Sequence, residues 1–337
     1  MRRLMTTLFF LFTLLMIQIS FVPGSIGFEL HPLATRNLSP TILGFGLPAL
    51  GAAQILQPKS GQIMTVIDLV SNSTENSTAD ESLIFDGETY RVALLVDYGI
   101  GENLEIGLEL PLISHQSGFL DGFIEEWHDL FNLPQGIREQ RGRNQLDYSY
   151  LRQDGTAFSI QSDQTGIGDL SLRGGWQLKR DAEKNRALAV RGSLKLPTGS
   201  AKKLTGSGST DLAIWLSGEQ RLPAATGQFY LYGGGGGIFS NDGDLLAGQR
   251  NNLIGFVTLG CGWQPWSEVG LQLQFDGHTP FYRHSSLREL TKFAGQLAIG
   301  GSLSLGSHRV LELAVVEDII VDTAPDVVFH LALKQRF

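Results

Sequence analysis

Residues 104–112 read LEIGLELPL, and their order decides the fold. Leu104, Ile106, Leu108, Leu110 and Leu112 fall on one side of an extended chain, with Glu105, Gly107, Glu109 and Pro111 on the other. A helix would scatter these leucines around its circumference, whereas a strand gathers them on one face. The run before it repeats the pattern. Tyr90, Val92, Leu94, Val96 and Tyr98 alternate with Arg91, Ala93, Leu95 and Asp97. An aromatic at each end of an aliphatic stripe suits a strand that crosses a bilayer, because amphipathic rings settle at the two interfaces.

The alternation continues to the last residue, through runs such as Leu170–Leu178, Leu188–Leu196, Val269–Phe275 and Val327–Phe337. It predicts about 12 strands, near 61–71, 88–98, 103–113, 166–178, 186–197, 209–220, 227–239, 250–263, 268–278, 290–305, 309–318 and 326–337. Connections alternate between short (99–103, 179–185, 221–226, 264–267, 306–308) and long (72–87, 114–165, 198–208, 240–249, 279–289). That asymmetry belongs to outer-membrane barrels, which have short periplasmic turns and longer external loops. A soluble β-sandwich is the competing architecture, but its strands average five or six residues, about half the length of these runs. The expected fold class is all-β, a transmembrane antiparallel β-barrel with a short helix in one long external loop.

Composition agrees with this class. The chain has 337 residues, 42% of them hydrophobic, which is too apolar for a disordered segment. Its single cysteine, Cys261, excludes a disulfide framework and a cysteine zinc site. The net charge of −8 argues against a nucleic-acid partner, which needs clustered cations. Residues 1–27 read as a secretory signal: Arg2 and Arg3, a short apolar core, then Pro23 and Gly24 before Ser25-Ile26-Gly27. Three units follow: a signal at 1–27, a Pro-rich segment at 28–60 that is a candidate plug, and the barrel at 61–337. The expected location is the outer membrane of a Gram-negative cell, with outer-membrane lipid as the surrounding partner.

Two resemblances bear on the assignment. Arg36-Asn37-Leu38-Ser39-Pro40, Gly46-Leu47-Pro48, Asp86-Gly87-Glu88-Thr89-Tyr90, Glu109-Leu110-Pro111 and Gly118-Phe119-Leu120-Asp121 resemble a Gram-negative family of outer-membrane proteins catalogued only as a domain of unknown function. That resemblance implies fold and location and carries no activity. Thr165 to Leu170 and Leu194 to Gly199 are distantly similar to the outer-membrane family linked to meta-pathway phenol degradation. The similarity implies a channel for hydrophobic compounds. The last stretch, VVFHLALKQRF, resembles the terminal signal read by the barrel-assembly machinery, with Phe329 and Phe337 as its aromatic positions.

Charged side chains on strands must face inward, since a mid-bilayer Arg or Lys facing lipid costs roughly 2–4 kcal/mol. Arg91, Asp97, Glu105, Glu109, Asp169, Arg173, Arg191, Lys195, Asp211, Glu219, Asp276 and Lys292 are therefore the lumen-facing candidates. In the long loop, Gly118 to Leu133 has a helical period, placing Leu120, Phe123, Ile124, Trp127, Leu130 and Phe131 on one face. That helix either caps the barrel mouth or packs on neighbouring loops. Phe119, Phe123, Trp127 and Phe131 are the candidates for gathering an apolar ligand.

Catalytic signals are poor. The histidines are scattered without metal-ligand spacing, so no metal or cofactor is expected. His284-Ser285-Ser286 superficially resembles the Ser/His pairing of an outer-membrane phospholipase, although sequence neighbours make poor triad partners. The expectation is a non-enzymatic, passive channel for small molecules, hydrophobic compounds among them, with the substrate unidentified. The alternatives are a structural envelope barrel with a closed lumen and a lipid hydrolase. An integral barrel should stay in the membrane pellet when envelopes are washed with alkaline carbonate; release into the supernatant would contradict the lipid-facing stripes.

Overall fold

The computed structural model describes residues 28–131, 141–183 and 185–337; the expected signal at 1–27 lies outside them. Among the described residues, fifteen strands form one antiparallel sheet. They are β1 (Gly61–Ser77), β2 (Glu81–Gly101), β3 (Leu104–Gln116), β4 (Asp147–Arg152), β5 (Ala157–Ile160), β6 (Gln164–Ile167), β7 (Leu170–Asp181) and β8 (Arg186–Leu196), followed by β9 (Asp211–Pro223), β10 (Gln228–Ser240), β11 (Leu253–Gln264), β12 (Val269–His278), β13 (Ala294–Ser304), β14 (Arg309–Asp318) and β15 (Val327–Arg336). Twelve of these close a barrel, β1 to β3 and β7 to β15, with β1 paired to β15 from Gln62↔Arg336 to Ser71↔Val327. Closure leaves no open edge inside hydrocarbon, where an unpaired backbone group has no water to bond.

The expected faces are the observed ones. On β3, Glu105 and Glu109 are buried inside while Ile106, Leu108 and Leu110 stand exposed outside. Tyr98, Trp176 and Phe229 lie exposed near the short-turn end, with Phe229 stacked on Trp263 at 6.2 Å. From Tyr90 to Tyr98 the outward stripe of β2 spans about 26 Å at 3.3 Å per residue, close to the apolar band of an outer membrane.

Three features depart from the expectation. Residues 72–77 and 81–86 continue the β1–β2 hairpin, with Ser77↔Ser82 at its tip, rather than forming a loop. The long connection after β3 contains β4, β5 and β6, which extend the wall beyond β2 and β3 at the loop end. These pieces are too short to show a reliable alternation in sequence. Lys292 is exposed just past the helical turn α2 (Arg288–Thr291) and outside the lumen. Burial of Leu287 and Leu290 in the loop-end apolar cluster draws the chain into that turn and delays β13 to Ala294.

The five-glycine run of β10 leaves room for the segment inside. A Cβ on Gly234 would stand 2.0 Å from the Leu216 carbonyl oxygen and 2.7 Å from Leu50 Cδ1. Gly234→Val should therefore destabilise the folded barrel by roughly 1–3 kcal/mol through overpacking, read as a lower urea midpoint in detergent micelles.

Candidate functional site: the filled lumen

Residues 28–56 lie inside the barrel as a hairpin, and exposed residues 57–59 lead past the Gly99 turn to β1. The outgoing arm runs parallel to β12 at a constant sequence offset. Gln272 Nε2 donates to the His31 carbonyl at 2.7 Å, Leu33 N–H to Gln274 Oε1 at 2.9 Å, and Thr35 Oγ1 to Asp276 Oδ2 at 2.6 Å. Asn37 bonds the His278 ring at 3.0 Å. Ser39 to Phe45 turn the chain, with Ile42 and Leu43 N–H both bonded to the Ser39 carbonyl. The return arm follows β9. Gly46 N–H donates to Asp211 (2.7 Å), Trp215 Nε1 to the Leu50 carbonyl (2.7 Å), Ser217 Oγ to the Gly51 carbonyl (2.7 Å) and Ala53 N–H to Glu219 (2.8 Å). Gln177 and Glu105 then take the Ile55 and Leu56 N–H groups.

This arrangement explains the prolines. Pro32, Pro40 and Pro48 lack N–H groups and cannot sustain a strand ladder. Buried backbone groups still need partners. Here the inward-facing side chains of the wall supply them one at a time.

The charged candidates sit together around this hairpin. Arg91 bridges Asp68 (2.8 Å) and Glu109 (2.6 Å), and Arg36 of the hairpin shares Glu109 at 2.9 Å. His330 lies 2.6 Å from Asp68. Arg191 pairs with Glu105 at 2.7 Å and Arg173 with Asp97 at 3.7 Å. Lys195 contacts Asp169 at 2.6 Å and Asp211 at 3.3 Å, and also donates to the Gly44 carbonyl. Glu219 meets His31 at 3.3 Å, and Asp276 accepts from Thr258 at 2.7 Å. Lys334 pairs with Glu312. Of the twelve candidates, the structure places all but Lys292 on the inner wall. A cavity of about 100 Å³ remains between the return arm and the wall, lined by Arg36, Arg91, Glu105, Glu109, Arg173 and Arg191 among others. That is room for a few water molecules.

The loop end is closed by different chemistry. Ile42 and Phe45 at the hairpin turn join Phe85, Tyr148, Tyr150, Phe281 and Tyr282 in an apolar cluster. Arg250 lies over the Phe45 ring at 4.4 Å. The Tyr282 hydroxyl donates to the Thr41 carbonyl at 2.8 Å, and burial raises its pKa, so it stays a donor. Neither of the two serines after His284 bonds to it: Ser285 Oγ donates to Glu81 at 2.8 Å, and Ser286 N–H also goes to Glu81.

The loop helix, α1 (Asp121–Phe131), is not at the mouth. It lies on the outside of the barrel, with Leu120 and Ile124 buried against Val327 and packed on Leu69, Val315 and Phe329. Phe123 approaches Phe329 at 5.8 Å, and Phe119 stacks on Tyr90 at 6.3 Å. All of those wall residues face outward, so Phe119 and Phe123 do not line a path into the lumen. Trp127 and Phe131 fall in the same helix, and their side chains lie outside the described residues. The amphipathic period shows that the helix packs on something, and only the fold shows on what.

Sequence reasoning missed the wall amides. Gln177, Gln272 and Gln274 alternate with apolar residues and carry much of the hairpin's bonding. Their inward parity was the available signal.

Residues 12–337 match a family described as "Protein of unknown function (DUF3187)". The chain belongs to that family. Among solved structures, the chain is similar to the COG4313 outer membrane channel from Pseudomonas putida F1, with a TM-score of 0.55 at 11% identity, covering 85% of this chain and 98% of that one. A NanC porin gives 0.46 at 8% identity over 82% of this chain and 98% of that one. The CymD monoaromatic hydrocarbon channel gives 0.36 at 10% identity over 84% and 89%. No curated protein matches. At these identities the first likeness shows the outer-membrane barrel fold.

Arg91 is the hub of the internal ion network, with only 5% of its side chain exposed. Arg91→Met should destabilise the barrel by up to about 3 kcal/mol, because it takes one of two partners from each of the buried Asp68 and Glu109 and leaves them His330 and Arg36. Restoring neutrality with Asp68→Asn, which leaves Arg36 paired with Glu109, should recover part of that loss in the same urea titration.

Proposed function

We propose that this protein is a passive outer-membrane channel for small hydrophilic solutes, held shut by the hairpin of residues 28–56. The observation that carries the reading is the character of the contact between hairpin and wall. The wall presents charged and amide side chains, and the hairpin is held mainly by separate side-chain to backbone hydrogen bonds. A lumen sealed for good would be served as well by an apolar filling, since buried ion pairs seldom stabilise more than well-packed hydrocarbon. Charged groups are suited to a lumen that is wet in another state, where water replaces each bond the hairpin makes.

The charged lining supports hydrophilic solutes over the hydrophobic compounds suggested by the phenol-degradation resemblance. No covalent step and no energy source enter this reading; solutes would diffuse once the hairpin loosens. The loop-end apolar cluster favours a second reading, a structural barrel whose lumen stays closed. We extend the proposal to the terminus. There Phe337 pairs with Gly61 through both backbone groups, at 2.8 and 2.9 Å, and its exposed ring suits recognition by the assembly machinery.

Planar-bilayer recordings separate the two readings. Full-length protein should show rare, small openings. Gln272→Ala with Gln274→Ala, which removes anchors of the outgoing arm, should make openings more frequent, and deletion of 28–56 should give a larger, steady conductance. A folded deletion variant that conducts no ions would favour the structural barrel.

A further inference from the structure

The outer-wall position of α1 has a definite geometry. Tyr90, Leu69, Phe329 and Val315 occupy one register row across β2, β1, β15 and β14, through the pairs Leu69↔Tyr90, Leu69↔Phe329 and Val315↔Phe329. Such a row runs perpendicular to the strands and spans about 14 Å over three gaps of 4.8 Å. The 11 residues of α1 are about 16 Å long at 1.5 Å per residue. The segment from Phe119 into α1 contacts that row from Tyr90 to Val315, so the helix crosses the strands instead of following them.

The row also sits at a definite depth. Tyr90 is the loop-end aromatic of the outward stripe that begins at Tyr98, the level where a membrane strand leaves the hydrocarbon. One step farther out, Glu88 faces outward and would meet the lipid boundary bare. It is instead 1% exposed. Its carboxylate accepts the N–H groups of Phe119 (2.6 Å) and Leu120 (2.5 Å) and the Tyr90 hydroxyl (2.5 Å). Gly118 makes the approach possible: its φ is +78°, and a Cβ there would stand 2.0 Å from the Glu88 carboxyl carbon. The Glu88 contacts therefore fix where the helix begins.

With Leu120 and Ile124 turned to the wall, Phe119 and Phe123 remain 67% and 52% exposed. They are continuous with the lipid-facing belt through their ring contacts with Tyr90 and Phe329. Asp121 and Glu125 are bound to chain beyond the helix: Asp121 accepts the Asn144 N–H at 2.6 Å, and Glu125 pairs with Arg143. An amphipathic helix lying flat with rings on one side and carboxylates on another belongs in a membrane interface.

We infer that α1 is an interfacial helix of the outer leaflet, with Phe119 and Phe123 seated in lipid at the boundary between headgroups and acyl chains. The inference is independent of whether the lumen opens. It is tested on the full chain in phosphatidylcholine vesicles by nitroxide labels at Phe123→Cys and, separately, Phe119→Cys, each in a Cys261→Ser background because Cys261 is exposed. Collision with oxygen and with a water-soluble nickel chelate reads the depth, with Leu94→Cys as the lipid-facing standard and Ser162→Cys as the solvent standard; both parent residues are exposed. The expected result is an oxygen-to-nickel accessibility ratio several-fold above that at Ser162 and shifted toward that at Leu94. A ratio equal to that at Ser162 at both positions would overturn the inference. So would spin–spin broadening that vanishes on dilution in lipid, which would assign the rings to a second copy of the chain.

Discussion

Hydrocarbon offers no hydrogen bonds, and this one constraint organises the molecule. A sheet that enters a bilayer must close, so the first and last barrel strands have to meet. They do so where Gly61 and Phe337 exchange both backbone hydrogen bonds and the aromatic ring covers the glycine. Once the wall is closed, each residue has one of two environments. Alternate side chains face lipid, and their neighbours face a space that lipid cannot enter. Alternation of leucine with glutamate in β3 is the direct chemical record of that division.

The same constraint reappears inside. A chain drawn into the lumen brings unpaired backbone groups with it, and its prolines prevent it from adding a strand. The wall answers with side chains at matching intervals. Constant register against β12, and near-constant register against β9, are what two extended chains running side by side require. The ion network has a related logic. Arg91, with Asp68 and Glu109 on either side, neutralises carboxylates that parity forces inward. Arg36 ties the hairpin into that network, so part of the filling is electrostatically continuous with the wall.

The outer surface shows how an exception to alternation is handled. Glu88 carries a charge on the lipid-facing side, just beyond the last aromatic of its strand. The long loop folds back to cover it and lays a short helix over four strands. Phe119 and Phe123 are residues of a type suited to an apolar ligand at the mouth. Their place on the outer wall makes them part of the boundary with the membrane instead.

The sequence by itself determined the class of fold, the parity of the barrel strands and the sign of each face, because period-two patterning is local and a one-residue slip would put charge into lipid. Eleven of twelve inward candidates follow from that parity alone. Lys292 escapes it because a buried pair of leucines, Leu287 and Leu290, pulls its neighbourhood into a helical turn, and that pull comes from distant residues. The course of residues 28–60 and the resting place of α1 were likewise beyond local reading. Proline content says only that a segment is not a ladder strand, and an amphipathic period says only that one face is covered. Which wall satisfies the backbone, and which row of side chains receives the helix, depend on contacts between positions hundreds of residues apart, and closure of the barrel alone brings those together.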